Sequence, residues 1–269
     1  MTEGKVVKSI DTAKNYTLRE LMAVVAARQL KDGKSVAVGT GLPLVAAMLA
    51  QQTHAPNLVI FFEAGGIAPQ LPTLPISVGD SRTIHKALCT TTLIDIMDTM
   101  RRGYIDYAFL GGAQIDKYGN LNSTMIGEDY EKPKVRFPGS GGANDFGSLA
   151  WETLIIMDRH SPRRFVENVD FITTPGYLYG PNAREEEGLS EGTGPSRVIT
   201  DLCLFDFDPD TKIMRLIETH PGITIDDVIK ATGFEFIIAD EIGTTTPPSE
   251  EDLYILHNVI DPNGFVFKK

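Results

Sequence analysis

Cysteine is nearly missing from this chain: Cys89 and Cys203 are the only two in 269 residues, far apart and in apolar or Thr-rich surroundings. That argues against a disulfide framework and against a cysteine-based metal site. Long apolar runs are missing too. No stretch reaches the length of a transmembrane helix, and Met1-Thr-Glu-Gly-Lys-Val-Val-Lys lacks the apolar core of a signal peptide. The expected setting is the cytoplasm, with no membrane partner. Positive charge is short, with 25 Lys+Arg against 36 Asp+Glu and a net charge of −11. A nucleic-acid binder normally shows a basic patch, so nucleic acid is not an expected partner. An anionic small molecule stays open, because backbone N–H groups and a few cations suffice for it. The five histidines, His54, His85, His160, His220 and His257, show no metal-ligand spacing and read as structural or surface residues. No repeat or low-complexity tract stands out.

What the chain does have is enough apolar content, 42%, to bury a sizeable core. It reads as one domain over residues 1–269 with a polar C-terminal tail. Thr17 and Glu20 have capping-box spacing, and Leu18, Leu21, Met22, Val25 and Ala26 recur at helical period, predicting a helix over 18–30. A strand at 35–38, a turn at Gly39-Thr-Gly-Leu-Pro and a helix at 44–50 follow. Next comes Leu58-Val-Ile-Phe-Phe-Glu-Ala-Gly-Gly, whose unbroken apolar run suits a strand buried on both faces. Strand, glycine turn, helix and strand make a right-handed βαβ unit and a parallel sheet. Glu63 would stand at the strand's C-terminal end, where open α/β sheets bind ligands, or be an ordinary loop glutamate. Gly39-x-Gly41 starts a dinucleotide fingerprint, but its third glycine is replaced by Leu44. A tight turn is the better reading.

Downstream, prolines forbid a regular element over 67–76, and a helix is expected over 84–100. A buried strand at 104–110 ends in Gly111-Gly112. Two short strands flank the turn Lys117-Tyr-Gly-Asn. Gly139-Ser-Gly-Gly is the densest glycine cluster, either an anion-binding nest or a flexible connector. Further strands are expected at 153–157, within 165–172 and at 234–239. A hairpin is expected around Asp208-Pro-Asp-Thr and a helix over 224–232, and the acidic run Glu185-Glu-Glu within the Gly/Pro-rich stretch 173–194 reads as a solvated surface loop. The tail from residue 241 is polar, with residues 253–256 docking on the body. Gln114 and Asp116 either line a site or tie a hairpin together. Asn144 and Asp145 fit helix entry better than catalysis.

Four segments occur together and in order: Gly39-Thr-Gly-Leu-Pro, Glu63-Ala-Gly-Gly, Gly111-Gly-Ala-Gln-Ile-Asp-Lys-Tyr-Gly-Asn-Leu-Asn and Gly139-Ser-Gly-Gly-Ala-Asn-Asp. With Arg197-Val-Ile-Thr-Asp and Glu218-Thr-His-Pro-Gly-Ile-Thr-Ile-Asp-Asp-Val they resemble the β subunits of family I CoA-transferases over most of residues 17–240. Glu-Ala-Gly resembles the glutaconate branch, whereas 3-oxoacid relatives carry Glu-Asn-Gly. The resemblance implies an open, mainly parallel α/β sheet flanked by helices with added β-hairpins, of the NagB/RpiA type. It implies Glu63 as nucleophile, with Gly141 or Gly142 offering an oxyanion N–H. It further implies Gly39, Gly41, Ala64, Gly65, Gly112, Gln114 and Asn144 around substrate and CoA, with Ala64 and its glycines leaving room for the thioester. An α subunit in an α2β2 assembly, acyl-CoA and carboxylate substrates, and no cofactor besides coenzyme A as substrate complete the expectation. The alternatives are an acyl-CoA hydrolase or C–C-cleaving or decarboxylating enzyme on the same fold, a noncatalytic acyl-CoA-binding subunit, and a nicotinamide-dependent oxidoreductase.

Overall fold

The computed structural model describes residues 15–267. Fourteen strands and seven α-helices are distributed along them. The strands are β1 (Ser35–Ala37), β2 (Val59–Phe61), β3 (Gly66–Ile67), β4 (Cys89–Thr90), β5 (Tyr107–Leu110), β6 (Gln114–Ile115), β7 (Leu121–Asn122), β8 (Met125–Ile126), β9 (Val135–Arg136), β10 (Glu152–Met157), β11 (Gly194–Thr200), β12 (Cys203–Phe207), β13 (Met214–Thr219) and β14 (Ile237–Thr244). The helices are α1 (Leu18–Ala27), α2 (Leu42–Gln52), α3 (Leu93–Arg101), α4 (Ala143–Leu149), α5 (Ala183–Glu186), α6 (Ile225–Ala231) and α7 (Glu250–Tyr254). Ten strands form one sheet in the order β14-β13-β12-β11-β10-β5-β1-β2-β3-β4. From β11 to β2 its pairings are parallel, as the sequence pattern predicts.

The chain leaves β1 through α2 for β2 on one side, then returns through α3 to β5 on the other. The strand order therefore reverses at β1, and a crevice opens past the C-terminal ends of β1, β2 and β5. Register sets what meets there. Ala37 pairs with Phe61 on one side and Ala108 on the other, so Gly39 and Glu63, each two residues further on, stand level at the strand ends. Strand side chains alternate between faces. Val36, Val38, Ile60 and Phe62 pack with α1, α2 and the C-terminal Ile255, Leu256 and Ile260. Ala37, Phe61 and Ala108 pack with Ile96 and Met100 of α3 and Phe146 of α4. A third apolar cluster, centred on Phe165, Phe205 and Leu216, joins β10–β13 to α6.

Several expectations need correction. The first helix starts at its capping box but ends at Ala27, not residue 30. Residues 84–100 are not one helix: β4 pairs with β3, and α3 starts after its own capping box at Thr92 and Asp95. Phe165 makes a single bridge to Ile115, with no strand over 165–172, because Asp170 turns inward to Gln114 and Gly127. The last strand lies further on, at Ile237–Thr244. The hairpins around 117–120 and 208–211 form as read, the second closed by Asp208 Oδ1 accepting from the Thr211 N–H at 2.9 Å. Among the described residues no helix is long and apolar enough to cross a membrane.

Candidate active site

Glu63 sits in a tight hairpin turn. The Gly65 N–H donates to Phe62 O at 3.0 Å and the Phe62 N–H to Gly66 O at 2.8 Å, reversing the chain from β2 into β3. Gly65 has φ +116°, and a Cβ there would lie 1.9 Å from the carbonyl oxygen of Thr91. A Cβ on Gly66 would lie 2.0 Å from that of Thr83. Backbone therefore fills the space that both glycines leave. This corrects the expectation that they stand open for a thioester. Ala64 is exposed at the tip.

The Glu63 side chain lines a cleft of about 160 Å³ at the strand ends, together with Gly39, Val78, Phe109, Leu110, Ser140, Gly141, Gly142 and Phe146. No described residue hydrogen-bonds or ion-pairs with its carboxylate. Gly142 is the N-cap of α4, and a Cβ added there would stand 2.8 Å from Glu63 Oε1, 2.8 Å from Met97 Cε and 2.9 Å from Phe146 Cε2. A bare backbone at 142 is thus what lets the helix start against the carboxylate. Gly141 has φ +51° and open space around it, so its need for glycine is conformational.

These two positions predict separable defects. Gly142→Ala keeps an ordinary backbone (φ −83°, ψ 7°) but pushes the carboxylate aside. Its turnover is expected to fall about 10²-fold, the cost of a misplacement on the order of 1 Å, together with about 1–3 kcal/mol of overpacking against Met97 and Phe146. Gly141→Ala is expected to lose about 1 kcal/mol of stability without displacing the carboxylate. Steady-state kinetics and thermal melts on both variants read the difference.

The remaining sequence candidates divide. Gly41, with φ +79°, is the N-cap of α2 and lies outside the cleft lining, while Leu44 is wholly buried in the core. Gly112 is held in the hairpin, where an added Cβ would come 3.0 Å from Gln114 O and 3.1 Å from Asn122 O. Gln114 is buried: its Oε1 accepts from Asn122 Nδ2 at 2.7 Å and from the Asp170 N–H at 3.0 Å. Its side chain is therefore a hairpin tie. Asp116 does the same for the next turn, accepting from the Tyr118 and Asn120 N–H groups, and burial pushes its carboxyl up to about 6. Asn144 lies in the first turn of α4 and donates to Thr173 O at 3.2 Å, a helix-entry contact.

His160 stacks on Phe165 at 3.7 Å, and burial pushes its imidazole down to about 3. Among the described residues no cluster of three or more His, Cys, Asp or Glu could hold a metal. Sequence reading misses Val78 and Phe146 as walls of the cleft, and Met97 packed beside Gly142. They come from three separate segments, and no local pattern joins them.

The sequence pattern of the coenzyme A transferase family matches residues 19–231. A glutaconate CoA-transferase chain of Acidaminococcus fermentans, one of that enzyme's subunits, is 40% identical over 253 residues, covering 92% of this chain and 94% of that protein. A subunit of the 3-oxoadipate CoA-transferase of Pseudomonas knackmussii is 40% identical over 242 residues, covering 90% and 92%. The crystal structure of the A. fermentans glutaconate enzyme superposes with a TM-score of 0.89 at 38% identity, covering 95% of this chain and 98% of that one. The decarboxylase AibA/AibB superposes at 0.79 with 28% identity, covering 94% and 99%. Likeness of this extent, in sequence and fold alike, places the chain in the coenzyme A transferase family.

Proposed function

We propose that this chain is the nucleophile-bearing subunit of a two-chain CoA-transferase, moving CoA between an acyl-CoA of dicarboxylic or 3-oxo type and a carboxylic acid. One observation carries the reading: the Glu63 carboxylate is held at the strand ends, with no hydrogen bond to a described residue, against the bare backbone of Gly142. A carboxylate is a weak nucleophile and needs such placement and partial desolvation. Glu63 attacks the thioester carbonyl, a C–O bond forms, the C–S bond breaks, and CoA leaves as thiolate. The thiolate then attacks the glutamyl carbonyl of the anhydride, releasing the acid as carboxylate and leaving CoA on Glu63. A second carboxylate reverses both steps. The Gly141 and Gly142 N–H groups are the candidates for stabilising the tetrahedral oxyanions. Coenzyme A enters as substrate, and the chemistry asks for no metal or redox group.

Two points support a partner chain. The glutaconate and 3-oxoadipate relatives are each named as one subunit of their enzyme. The cleft, at about 160 Å³, is smaller than the roughly 300–1,000 Å³ of pockets that enclose a drug-sized ligand. An α subunit completing the site in an α2β2 assembly fits both.

A relative 27% identical over 250 residues and named as a cholesterol ring-cleaving hydrolase subunit supports a second reading, with Glu63 acting as general base on water. The test is acyl-CoA supplied to the two-chain enzyme without acceptor acid, followed by borohydride. Transfer predicts one equivalent of CoA held as a reducible thioester mapped to Glu63, then arrest. Repeated turnover to free acid and CoA overturns transfer in favour of hydrolysis.

A further inference from the structure

The walls of the cleft differ from its rim in chemistry. Ala37, Val38, Val78, Phe109, Leu110 and Phe146 line it, and Ser140 is the one neutral polar side chain among the lining residues. Glu63 is the one ionisable group there, and no described lysine, arginine or histidine reaches it. Arg82, four residues after Val78, is spent on Asp80 through Nε at 2.9 Å and on Leu74 O at 2.8 Å. A volume of about 160 Å³ matches the roughly 150 Å³ apolar cavity that takes one benzene ring, so a compact chain of about six carbons fills it. A carboxylate pushed inside would meet no cation and would lie beside the charge of Glu63. Burying it unpaired is strongly unfavourable, and a like charge adds to that.

Resting on the reading of Glu63 as nucleophile, we infer that this cleft seats the carbon skeleton of the acyl group, that Phe146 and Val78 set its length limit, and that any distal carboxylate points out of the mouth to a cation of the partner chain. Length selection and charge selection are then divided between two polypeptides. Phe146 is placed for its share. It lies one turn into α4, is 8% exposed, and presents its ring edge to the Gly142 backbone that faces Glu63. Val78 adds to the lining from the segment between β3 and β4.

The experiment uses the assembled two-chain enzyme, as wild type, Phe146→Leu and Val78→Ala. Its probes are CoA esters of five-, six- and seven-carbon acids, each as the dicarboxylic and the matching monocarboxylic form. Both variants are expected to raise kcat/KM for seven carbons over five by about tenfold, the value of roughly one methylene in an apolar pocket. The shift is expected equally in the two series, with the dicarboxylic-to-monocarboxylic ratio at each length unchanged. A length ratio that stays put in both variants overturns the proposal, as does a charge ratio that moves with the length ratio. Should Phe146→Leu fail to assemble, Val78→Ala reads the same ratio. Borohydride labelling of the wild type separates the two layers. Label on Glu63 with no change in length ratio removes only the acyl-seat assignment, whereas no label on Glu63 removes the nucleophile itself.

Discussion

Glutamine in place of Glu63 is expected to leave a chain that folds and melts like the parent and transfers almost no CoA. The structural half of this follows from what the carboxylate does not do. It makes no hydrogen bond or ion pair with a described residue, so an isosteric amide removes nothing that holds the hairpin. The turn is fixed by its own backbone bonds and by the passage of Thr83 and Thr91 over Gly66 and Gly65. A change of such a side chain ordinarily moves stability by no more than about 0.5 kcal/mol. The kinetic half follows from chemistry. An amide oxygen does not form the anhydride, so turnover should drop by about 10⁴-fold or more, the scale seen when a covalent nucleophile is removed. Aspartate keeps the nucleophile but withdraws it by about one bond length, which predicts a loss on the order of 10²-fold. Turnover of the two-chain enzyme and a thermal melt of each variant check the series. A glutamine variant working at a tenth of the parental rate would remove Glu63 from the mechanism. A variant that melts well below the parent would show that the carboxylate has a structural duty.

The position of Glu63 is readable from sequence because the forces that place it are local. A run of Val59-Ile-Phe-Phe buries on both faces wherever it occurs, and a β1–α2–β2 unit closes by handedness alone. Capping boxes are equally local: Thr17 with Glu20, and Thr224 with Asp227, start their helices with side chains three residues apart. Expectation and structure part where a distant segment decides. Residues 84–92 have apolar content fit for a helix, but Gly65 and Gly66 offer β4 and its flanks a backbone to cross, and the helix waits until Thr92. The space over Gly65 and Gly66 is illegible for the same reason, since the chain that covers them lies some twenty residues away. The apolar lining of the cleft is invisible in sequence because Val78, Phe109 and Phe146 carry no shared spacing and meet only through the sheet reversal at β1. Gln114 is legible as polar and near a turn. Only the fold shows Asp170 arriving to use its amide.

Arg184 is another residue that sequence reading passes over, as one cation beside the acidic run Glu185-Glu-Glu, and its removal is expected to give the largest stability loss of any single side chain discussed. It is 4% exposed and ion-pairs with no described carboxylate. Burial pushes its guanidinium below the usual arginine range. Its donors go instead to oxygens: Pro175 O at 3.2 Å and Gly176 O at 2.8 Å through one terminal nitrogen, Gly147 O at 3.1 Å and Thr193 Oγ1 at 3.0 Å through the other. The guanidinium therefore fastens the last turn of α4 to the 175–176 strap and to the loop before β11. It sits at the negative end of the α4 dipole, which favours a cation. Two opposing terms bear on Arg184→Met. Desolvation of the charge is relieved, which stabilises. Against that, the main-chain carbonyls remain in place and buried with no donor, at about 1–3 kcal/mol each. Because there are several such oxygens and they cannot be mutated away, their loss wins. The variant is expected to be destabilised by about 3 kcal/mol or more, a fall in melting temperature of roughly 6–12 °C for a chain of this size. Arg184→Lys is expected to fall between, since one ammonium cannot span both sides of the fork. Calorimetry of the three proteins gives the ranking. A methionine variant as stable as the parent would mean that water or a shifted strap satisfies those carbonyls, and that α4 is held against the Glu63 hairpin by its apolar contacts with α3 alone.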